Sequence, residues 1–294
     1  MRRHGYATRM KVYFDGQITD GANARVSVRD HGLLYGDGIF EGLRAFDHRP
    51  VRLDRHLARL DAGARALHLK IPGGIAALRD IVMQTFAAHD GGDAYGRLVI
   101  TRGEGPLGVD PTTCPEPRVF CIVDHITIFP DEKRRAGLTM ITSSIRRPQS
   151  DVVDPRIKSL NYLNNAMAKG EARRQGADEA LVLNATGNIA EASVANVFVV
   201  QGGELITPPT TDGCLDGITR MTVLELAARL GIPARIATLS RIDLYRADEV
   251  FITGTGAGLV RIASLDGERV GGESTGPVLE RLYKAYFELV RAPG

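Results

Sequence analysis

The chain has 294 residues, with 37 basic and 35 acidic side chains and a formal net charge of +2. The length suits two domains, and the balanced charge argues against a nucleic acid or an anionic membrane as partner, so we expect small-molecule ligands. Three cysteines without CxxC spacing argue against a disulfide framework or a metal site and fit a reducing cytoplasm. Residues 1–9 are basic but precede no apolar segment, and no apolar stretch approaches the roughly 20 residues that cross a bilayer. We therefore expect a soluble, cytoplasmic protein.

The first half of the chain alternates strands with helices. Strands are predicted over residues 11–14, 24–28, 39–46, 95–102 and 118–123. Apolar residues recur every three or four positions over 52–68, which predicts a helix, and a second helix is predicted over 75–89. These elements predict a small α+β N-terminal domain with an antiparallel sheet over residues 1–128, followed by a polar interdomain linker at 129–135.

The second half is predicted to form a larger α/β domain over residues 136–294. Strands are predicted over 138–143, 179–183, 197–201, 204–206 and 249–252, and helices over 159–175 and 217–230. Taken together, the two halves predict an α+β fold whose sheets are mixed but largely antiparallel.

Lys158 lies where a loop runs into the helix predicted from residue 159. Most lysines in such a position are solvated surface groups. A lysine that forms an imine must instead be partly desolvated, because only the neutral amine is nucleophilic. The apolar neighbours Ile157 and Leu160 are compatible with that second interpretation, and the local sequence leaves both open.

Glu191 stands among small residues just before an apolar strand. It is either an ordinary turn or helix-cap acid, or a buried carboxylate. A buried carboxylate needs a cationic partner, since an unpaired charge inside a protein is very unfavourable. A protonated pyridine nitrogen would be such a partner.

Two further segments are typical of anion-binding sites. The helix predicted from Gly217 presents free backbone N–H groups and the positive end of its dipole. The segment 253–258, Thr-Gly-Thr-Gly-Ala-Gly, follows a strand and offers hydroxyl and amide donors. An ordinary helix cap and a plain glycine turn explain these two features equally well.

Six short motifs in a fixed order carry a resemblance to a known family. They are YGDGIFEGLR at 35–44, RHLARL at 55–60, KSLNYLN at 158–164, the Glu191 segment with NVF at 196–198, GITR at 217–220 and GT at 254–255. From about residue 13 to 270 the chain resembles the class IV (fold-type IV) pyridoxal-phosphate aminotransferases, most closely the branched-chain amino acid aminotransferases. The resemblance implies their two-domain α+β architecture, which is shared with D-amino acid aminotransferases.

The resemblance implies pyridoxal 5'-phosphate as cofactor and assigns a role to each matching residue. Lys158 would be the catalytic residue and hold the cofactor aldehyde as a Schiff base, while Glu191 would bind the ring nitrogen. Tyr162 would bind the ring hydroxyl, and Leu215 would pack on the ring face. Arg59, Ile218, Thr219 and Thr255 would bind the phosphate. The remaining residues that the resemblance places at the cofactor are Asn196, Gly217 and Gly254.

The same resemblance implies the substrates and the assembly. The expected reaction is transamination of leucine, isoleucine and valine with 2-oxoglutarate. The implied substrate-binding residues are Tyr35, Phe40, Tyr95, Arg97, Gly256 and Ala257. Loop 106–109 resembles one that reaches into the site of a partner subunit, which implies a homodimer or a larger assembly of dimers.

Two departures keep related activities open. Ala195 stands where the family often has an acid, and the Gly-Asp-Gly at 36–38 is shared with D-amino acid aminotransferases. Arg102 is either a carboxylate-binding arginine of the kind found in those enzymes or, as we favour, a surface arginine at a strand end. D-amino acid and (R)-amine transaminases and aminodeoxychorismate lyase therefore remain alternatives. A catalytically silent binding protein of the same fold and an unrelated phosphate-binding module are further alternatives.

Overall fold

The computed structural model describes residues 10–292, which divide into two compact units. The first unit contains the described residues up to Thr127 together with Ile157–Asn161. The second contains Ile128–Arg156 and the described residues from Tyr162 onward. Both units combine helices with sheets, and the α+β fold expected from the sequence is confirmed.

The first unit is built on an antiparallel sheet, which in the described residues has six strands in the order β2-β1-β6-β5-β3-β4. The strands are β1 (Lys11–Phe14), β2 (Gln17–Asp20), β3 (Gly38–Phe46), β4 (Arg49–Pro50), β5 (Ala94–Thr101) and β6 (Arg118–Asp124). The helices are α1 (His31–Tyr35), α2 (Leu53–Ala66) and α3 (Gly74–Ala87). The core of this unit is formed by apolar side chains of the sheet, α2 and α3, among them Leu43, Leu57, Phe86 and Leu98.

The strand predicted over residues 24–28 is wrong, since this segment is irregular. The strand that follows β1 is β2, and the two are joined by a tight turn at Asp15 and Gly16. Both turn residues have positive φ, 49° and 82°, as a two-residue hairpin with the favoured twist requires. The alternating pattern of 24–28 cannot by itself distinguish a strand from an extended loop.

The segment Ile157–Asn161 joins the first unit by pairing with the start of β3. The amide of Phe40 donates to the carbonyl of Lys158 at 3.0 Å, and the amide of Leu160 donates to the carbonyl of Gly38 at 2.9 Å. Residues 159–162 are therefore not helical, and the helix predicted from residue 159 begins at Leu163. The predicted domains assign this segment to the C-terminal half, whereas the structure groups it with the first unit.

The second unit contains a mixed sheet, which in the described residues has nine strands. Its order is β12-β11-β10-β13-β14-β7-β8-β9, with β15 pairing on β14. The pairs β7–β8, β7–β14 and β11–β12 are parallel and the others antiparallel. The strands are β7 (Leu138–Arg146), β8 (Glu179–Leu183), β9 (Ile189–Ala192), β10 (Asn196–Gln201), β11 (Glu204–Thr207), β12 (Ala234–Ile236), β13 (Glu249–Gly254), β14 (Gly258–Leu265) and β15 (Glu268–Arg269).

Five helices accompany this sheet within the described residues: α4 (Asp131–Ala136), α5 (Leu163–Arg174), α6 (Ile218–Arg229), α7 (Arg241–Tyr245) and α8 (Pro277–Arg291). The segment predicted as a linker, 129–135, lies inside this unit. Phe129 is part of its apolar core, and α4 follows directly. None of the helices in residues 10–292 is both long and apolar enough to cross a membrane.

Candidate active site

Lys158 lies beside an aromatic ring of the first unit. Its Nζ is 4.4 Å from the centroid of the Phe40 ring, and the Cζ of Arg97 is 4.7 Å from the same centroid. Phe40 is buried and Lys158 half-buried, so the amine is not a fully solvated surface group. The structure thus brings together three of the predicted site residues, and the pairing of Lys158 with β3 holds its backbone next to Phe40.

The two predicted tyrosines of this unit have different surroundings. The Tyr95 hydroxyl lies directly over Gly42 of β3, where any side chain on Gly42 would collide with it. Tyr35 packs edge-on against the His31 ring, and its hydroxyl accepts a hydrogen bond from the amide of Gly108 at 2.9 Å. Tyr35 is therefore linked to loop 106–109.

Arg59 is held by the buried carboxylate of Glu41. Glu41 belongs to the motif at 35–44, but the sequence does not predict it as a site residue. Nε and Nη2 of Arg59 donate to the two oxygens of Glu41 at 2.8 and 2.7 Å. Nδ1 of His56 lies 2.7 Å from Glu41 Oε2 and donates to it, because an ionised carboxylate only accepts. Burial disfavours the charged form of Glu41, but the Arg59 charge and these hydrogen bonds outweigh it and lower its pKa to about 2. Glu41 thus keeps the guanidinium plane of Arg59 fixed.

Glu191 lies in the second unit and is buried, with 6% of its surface exposed. It belongs to strand β9, so the interpretation as a turn or helix-cap acid is wrong. Its Oε2 accepts a hydrogen bond from the Leu215 amide at 3.2 Å and a longer one from Asn196 Nδ2 at 3.4 Å. Asn196 also donates to the Leu215 carbonyl at 2.8 Å. Three of the predicted cofactor residues, Glu191, Asn196 and Leu215, are therefore joined in one network.

The cation that neutralises Glu191 is Arg147, a residue that the sequence did not reveal. Nη2 of Arg147 lies 3.0 Å from Glu191 Oε1, and the arginine is 5% exposed. It follows the last residue of β7 and is 44 positions from its partner, so no local pattern could indicate the pair. A second buried arginine of this unit, Arg220, pairs with Asp216 at 3.0 Å.

Helix α6 begins at the predicted anion-binding segment. Its N-cap is Gly217, which has no side chain to cap the first turn. A side chain on Gly217 would collide with Asn196 Oδ1, so only glycine allows this close approach. The first N–H groups of a helix have no partner within the helix, so those of Ile218 and Thr219 can donate to a ligand.

The β13–β14 hairpin carries the other predicted anion-binding segment. Gly254 pairs with Gly258, which makes Thr255, Gly256 and Ala257 the turn. Thr253 is opposite Asn196 across the β10–β13 ladder, so the hairpin end adjoins the Glu191 network. The Ala257 carbonyl accepts a hydrogen bond from Arg134 Nη2 at 2.7 Å. In residues 10–292, both Thr253 Oγ1 and Arg147 Nε are buried without a hydrogen-bond partner.

Three more residues from the sequence analysis have definite positions. Tyr162 is the half-buried N-cap residue of α5. Ala195 belongs to the apolar core of the second unit, where an acid would be poorly solvated.

Arg102 is buried, so its interpretation as a surface arginine is wrong. It pairs with Asp37 at 2.8 Å and donates to the carbonyls of Leu67 and His68.

The chain resembles known proteins over most of its length. The family model for amino-transferase class IV matches residues 38–265. A putative branched-chain-amino-acid aminotransferase of Methanocaldococcus jannaschii is 42% identical over 280 residues, which cover 95% of this chain and 96% of that protein.

Solved structures of aminotransferases also resemble this chain. The branched-chain amino acid aminotransferase of Escherichia coli is 34% identical, with a TM-score of 0.88 over 94% of this chain and 93% of that one. An aminotransferase from Brucella abortus, solved with the cofactor PLP bound, is 29% identical, with a TM-score of 0.86 over 96% and 99% of the two chains. By its sequence and its fold, this chain belongs to the class IV aminotransferases.

Proposed function

We propose that this aminotransferase transfers the amino group of leucine, isoleucine and valine to 2-oxoglutarate. The observation that carries the proposal is the similarity in sequence and fold to enzymes named as branched-chain aminotransferases, which match at least 94% of this chain. The choice of 2-oxoglutarate as amino acceptor follows the family resemblance.

The cofactor is pyridoxal 5'-phosphate, and the residues of the second unit fit it. The group needs an acid for its ring nitrogen and donors for its phosphate. Glu191 is a buried acid, α6 begins at a glycine that supplies no side-chain cap, and Thr253 Oγ1 is a buried hydroxyl without a partner in residues 10–292. When bound, the cofactor supplies an aldehyde that condenses with amines and a ring that accepts electron density.

Lys158 is proposed as the catalytic residue. Its amine would hold the cofactor through the aldehyde, and as a free amine it would take the α-proton of the amino acid as a general base and give it back as a general acid. The contact with the Phe40 ring supports this role, because an amine beside an apolar surface is less solvated than one in open water. The hydrogen bond from Phe40 to the Lys158 carbonyl orients this backbone.

Glu191 is proposed to bind the protonated ring nitrogen. An ionised carboxylate there stabilises the positive charge on the nitrogen, and that charge lets the ring accept electrons. Asn196 and the Leu215 amide fix one carboxylate oxygen, so the orientation of Glu191 is set by the protein. The Leu215 side chain is proposed to cover the ring face, and Tyr162 to donate to the ring hydroxyl.

The phosphate is proposed to bind donors from four residues. Arg59 supplies a guanidinium whose plane Glu41 fixes, and the Ile218 and Thr219 amides belong to the first turn of α6, which begins after Gly217. Thr255, in the β13–β14 turn, supplies a hydroxyl and an amide. Gly217 and Gly254 are also proposed to lie at the cofactor, and at Gly217 a side chain would collide with Asn196.

The substrate side chain is proposed to lie against Phe40, Tyr35 and Tyr95, with Arg97 beside Phe40. An apolar wall distinguishes side chains by only about 1–3 kcal/mol per methylene, so several aliphatic amino acids should react. The amides of Gly256 and Ala257 are proposed to bind the α-carboxylate, and the hydrogen bond from Arg134 to the Ala257 carbonyl supports the turn that presents them.

The surroundings of Arg102 argue against the D-amino acid alternative. A carboxylate-binding arginine must have donors available to the substrate. Four N–H directions of Arg102 are already used, two by Asp37 and one each by the carbonyls of Leu67 and His68. A guanidinium has five N–H donors, so too little of Arg102 is left for bidentate binding of a substrate carboxylate.

We also propose that the protein forms at least a homodimer through loop 106–109. Leu107 and Val109, both within this loop, are 84% and 77% exposed. Apolar side chains exposed together in this way often mark a site of protein–protein contact. The hydrogen bond from Gly108 to Tyr35 links this loop to a proposed substrate residue. A second copy of the chain would cover these side chains.

Half-reaction kinetics test the proposed substrate class. The purified enzyme is mixed with L-leucine, L-valine, L-glutamate, D-alanine or (R)-1-phenylethylamine, and the change in cofactor absorbance is followed. We expect fast reaction with the three L-amino acids and slow reaction with the other two. Faster reaction with D-alanine or with the amine would replace the branched-chain proposal by one of the alternatives.

A further inference from the structure

Arg147 is held in one position by contacts on several sides. Its amide donates to the Leu183 carbonyl at 2.8 Å, which continues the β7–β8 pairing past the end of β7. Nη1 donates to Asn164 Oδ1 at 3.0 Å, and Asn164 Nδ2 in turn donates to the Arg146 carbonyl at 2.8 Å. The guanidinium therefore has little freedom to leave Glu191.

The aliphatic part of Arg147 is confined as well. A Cβ atom on Gly213 would lie 3.0 Å from Arg147 Cγ, so the turn at Gly213 packs directly on the side chain. Nη2 also donates to the Ala192 carbonyl at 3.4 Å, one residue after Glu191. This packing aims the charged end at Glu191 Oε1, 3.0 Å away.

The pair places a cation directly against the buried Glu191 carboxylate. Both side chains are more than nine-tenths buried, and a carboxylate buried without a cation takes up a proton. Removing one partner of a buried pair leaves the other charge uncompensated. Among the titratable groups near Glu191 in residues 10–292, burial raises the pKa of the Cys214 thiol to about 12, and Arg220 pairs with Asp216.

We propose that Arg147 is a positioning residue of this enzyme, which holds Glu191 ionised and oriented for the ring nitrogen of the cofactor. The inference rests on the proposed role of Glu191. It assigns to Arg147 no contact with the cofactor or the substrate. Its effect passes entirely through the Glu191 carboxylate.

The test is the pH dependence of cofactor affinity. The dissociation constant of pyridoxal phosphate is measured at pH 8, 7 and 6 for the wild type, Arg147→Met, Arg147→Lys, Glu191→Gln and the double variant Arg147→Met/Glu191→Gln. Arg261→Met is the matched control, because Arg261 is a buried arginine of the same unit that donates to the carbonyls of Ala136 and Gly272.

We expect the affinity of Arg147→Met for pyridoxal phosphate to fall more steeply on acidification than that of the wild type. The additional loss should reach about tenfold per pH unit, because Glu191 of the free variant takes up one proton. Arg147→Lys should restore most of the wild-type pH dependence, since it keeps the charge. Arg261→Met should follow the wild type. The double variant should not show the additional pH dependence of cofactor affinity, because no carboxyl group is left at position 191 to titrate.

Two results would overturn the inference: a wild-type pH dependence in Arg147→Met, or the additional dependence persisting in the double variant. If Arg147→Met does not fold, Arg147→Gln, which can keep the hydrogen bond to Asn164, gives the same comparison. The proposed role of Glu191 is judged separately. Unchanged kcat and cofactor affinity in Glu191→Gln alone would reject that role, whatever Arg147 does.

Discussion

Arg59 and Glu41 form a bidentate ion pair in which the carboxylate is completely buried. The arginine proposed to bind the cofactor phosphate is therefore also a structural group of the first unit. His56, one helical turn before Arg59 on α2, makes the third contact. Substitutions in this cluster should affect both stability and cofactor binding.

Glu41→Gln should lower the free energy of unfolding by about 3–5 kcal/mol, because it leaves the Arg59 charge without its buried partner. Chemical denaturation of the cofactor-free protein measures this loss. Glu104→Gln is the control, since Glu104 pairs with Arg118 at the exposed surface of the same unit and should contribute at most about 1 kcal/mol. An equal decrease in the free energy of unfolding in the two variants would show that the buried pair stabilises the protein no more than the exposed one.

The low pKa of Glu41 predicts a specific acid sensitivity. Its pKa falls from an ordinary value of 4.5 to about 2 on folding, so its contribution is complete above about pH 4.5 and is lost as the pH falls through about 2. The shift corresponds to roughly 3 kcal/mol. Denaturation of wild type and Glu41→Gln from pH 6 to pH 2 should show their difference in stability shrinking over this range. A difference in the free energy of unfolding that stays constant over this pH range would contradict the low pKa of Glu41.

Lys158→Ala should abolish transamination and the yellow absorbance of covalently bound cofactor, because it removes the amine proposed to bind the aldehyde. Borohydride reduction followed by mass spectrometry gives an independent readout, with a cofactor adduct on the peptide that contains Lys158 in the wild type. Lys70→Ala, at an exposed lysine of the same unit, should keep both properties. An active Lys158→Ala enzyme would reject the catalytic role.

The ordered motifs of the sequence predicted the family, the cofactor and most residues of the candidate site, because they report residue identities at fixed spacing. Local patterns were less informative where pairing between distant segments decides the structure. Residues 159–162 look helical, yet Ser159 pairs with Ile39 of β3 and the helix starts later. Glu191 looks like a turn acid, yet its strand pairs with β8.

The partners of the predicted residues were the hardest to foresee. Glu41 reaches Arg59 across 18 positions, and Arg147 reaches Glu191 across 44. A buried charge requires a counter-charge, but the sequence does not say which of the 37 basic residues supplies it. Only the fold brings these pairs together.

Leu107→Asp should weaken the proposed association of two copies, because it places a charge at the centre of an exposed apolar loop. Light scattering coupled to size-exclusion chromatography should show a dimer or larger species for the wild type and more monomer for the variant. Val28→Asp is the control, since Val28 is a similarly exposed apolar residue of the same unit outside the loop, at 77% against 84% for Leu107. A wild-type monomer would reject the assembly.

Gly217→Ala should weaken cofactor binding by tenfold or more, because an added methyl group collides with Asn196 Oδ1 and displaces either that side chain or the start of α6. The backbone of Gly217, with φ −69° and ψ 134°, suits alanine, so the effect is steric and does not come from backbone strain. Gly272→Ala is the control, since the nearest atom to its added carbon lies 3.7 Å away. Cofactor affinity measured by absorbance titration should fall for Gly217→Ala alone. Equal affinity in both variants would mean that the contact between Asn196 and Gly217 does not shape the phosphate site.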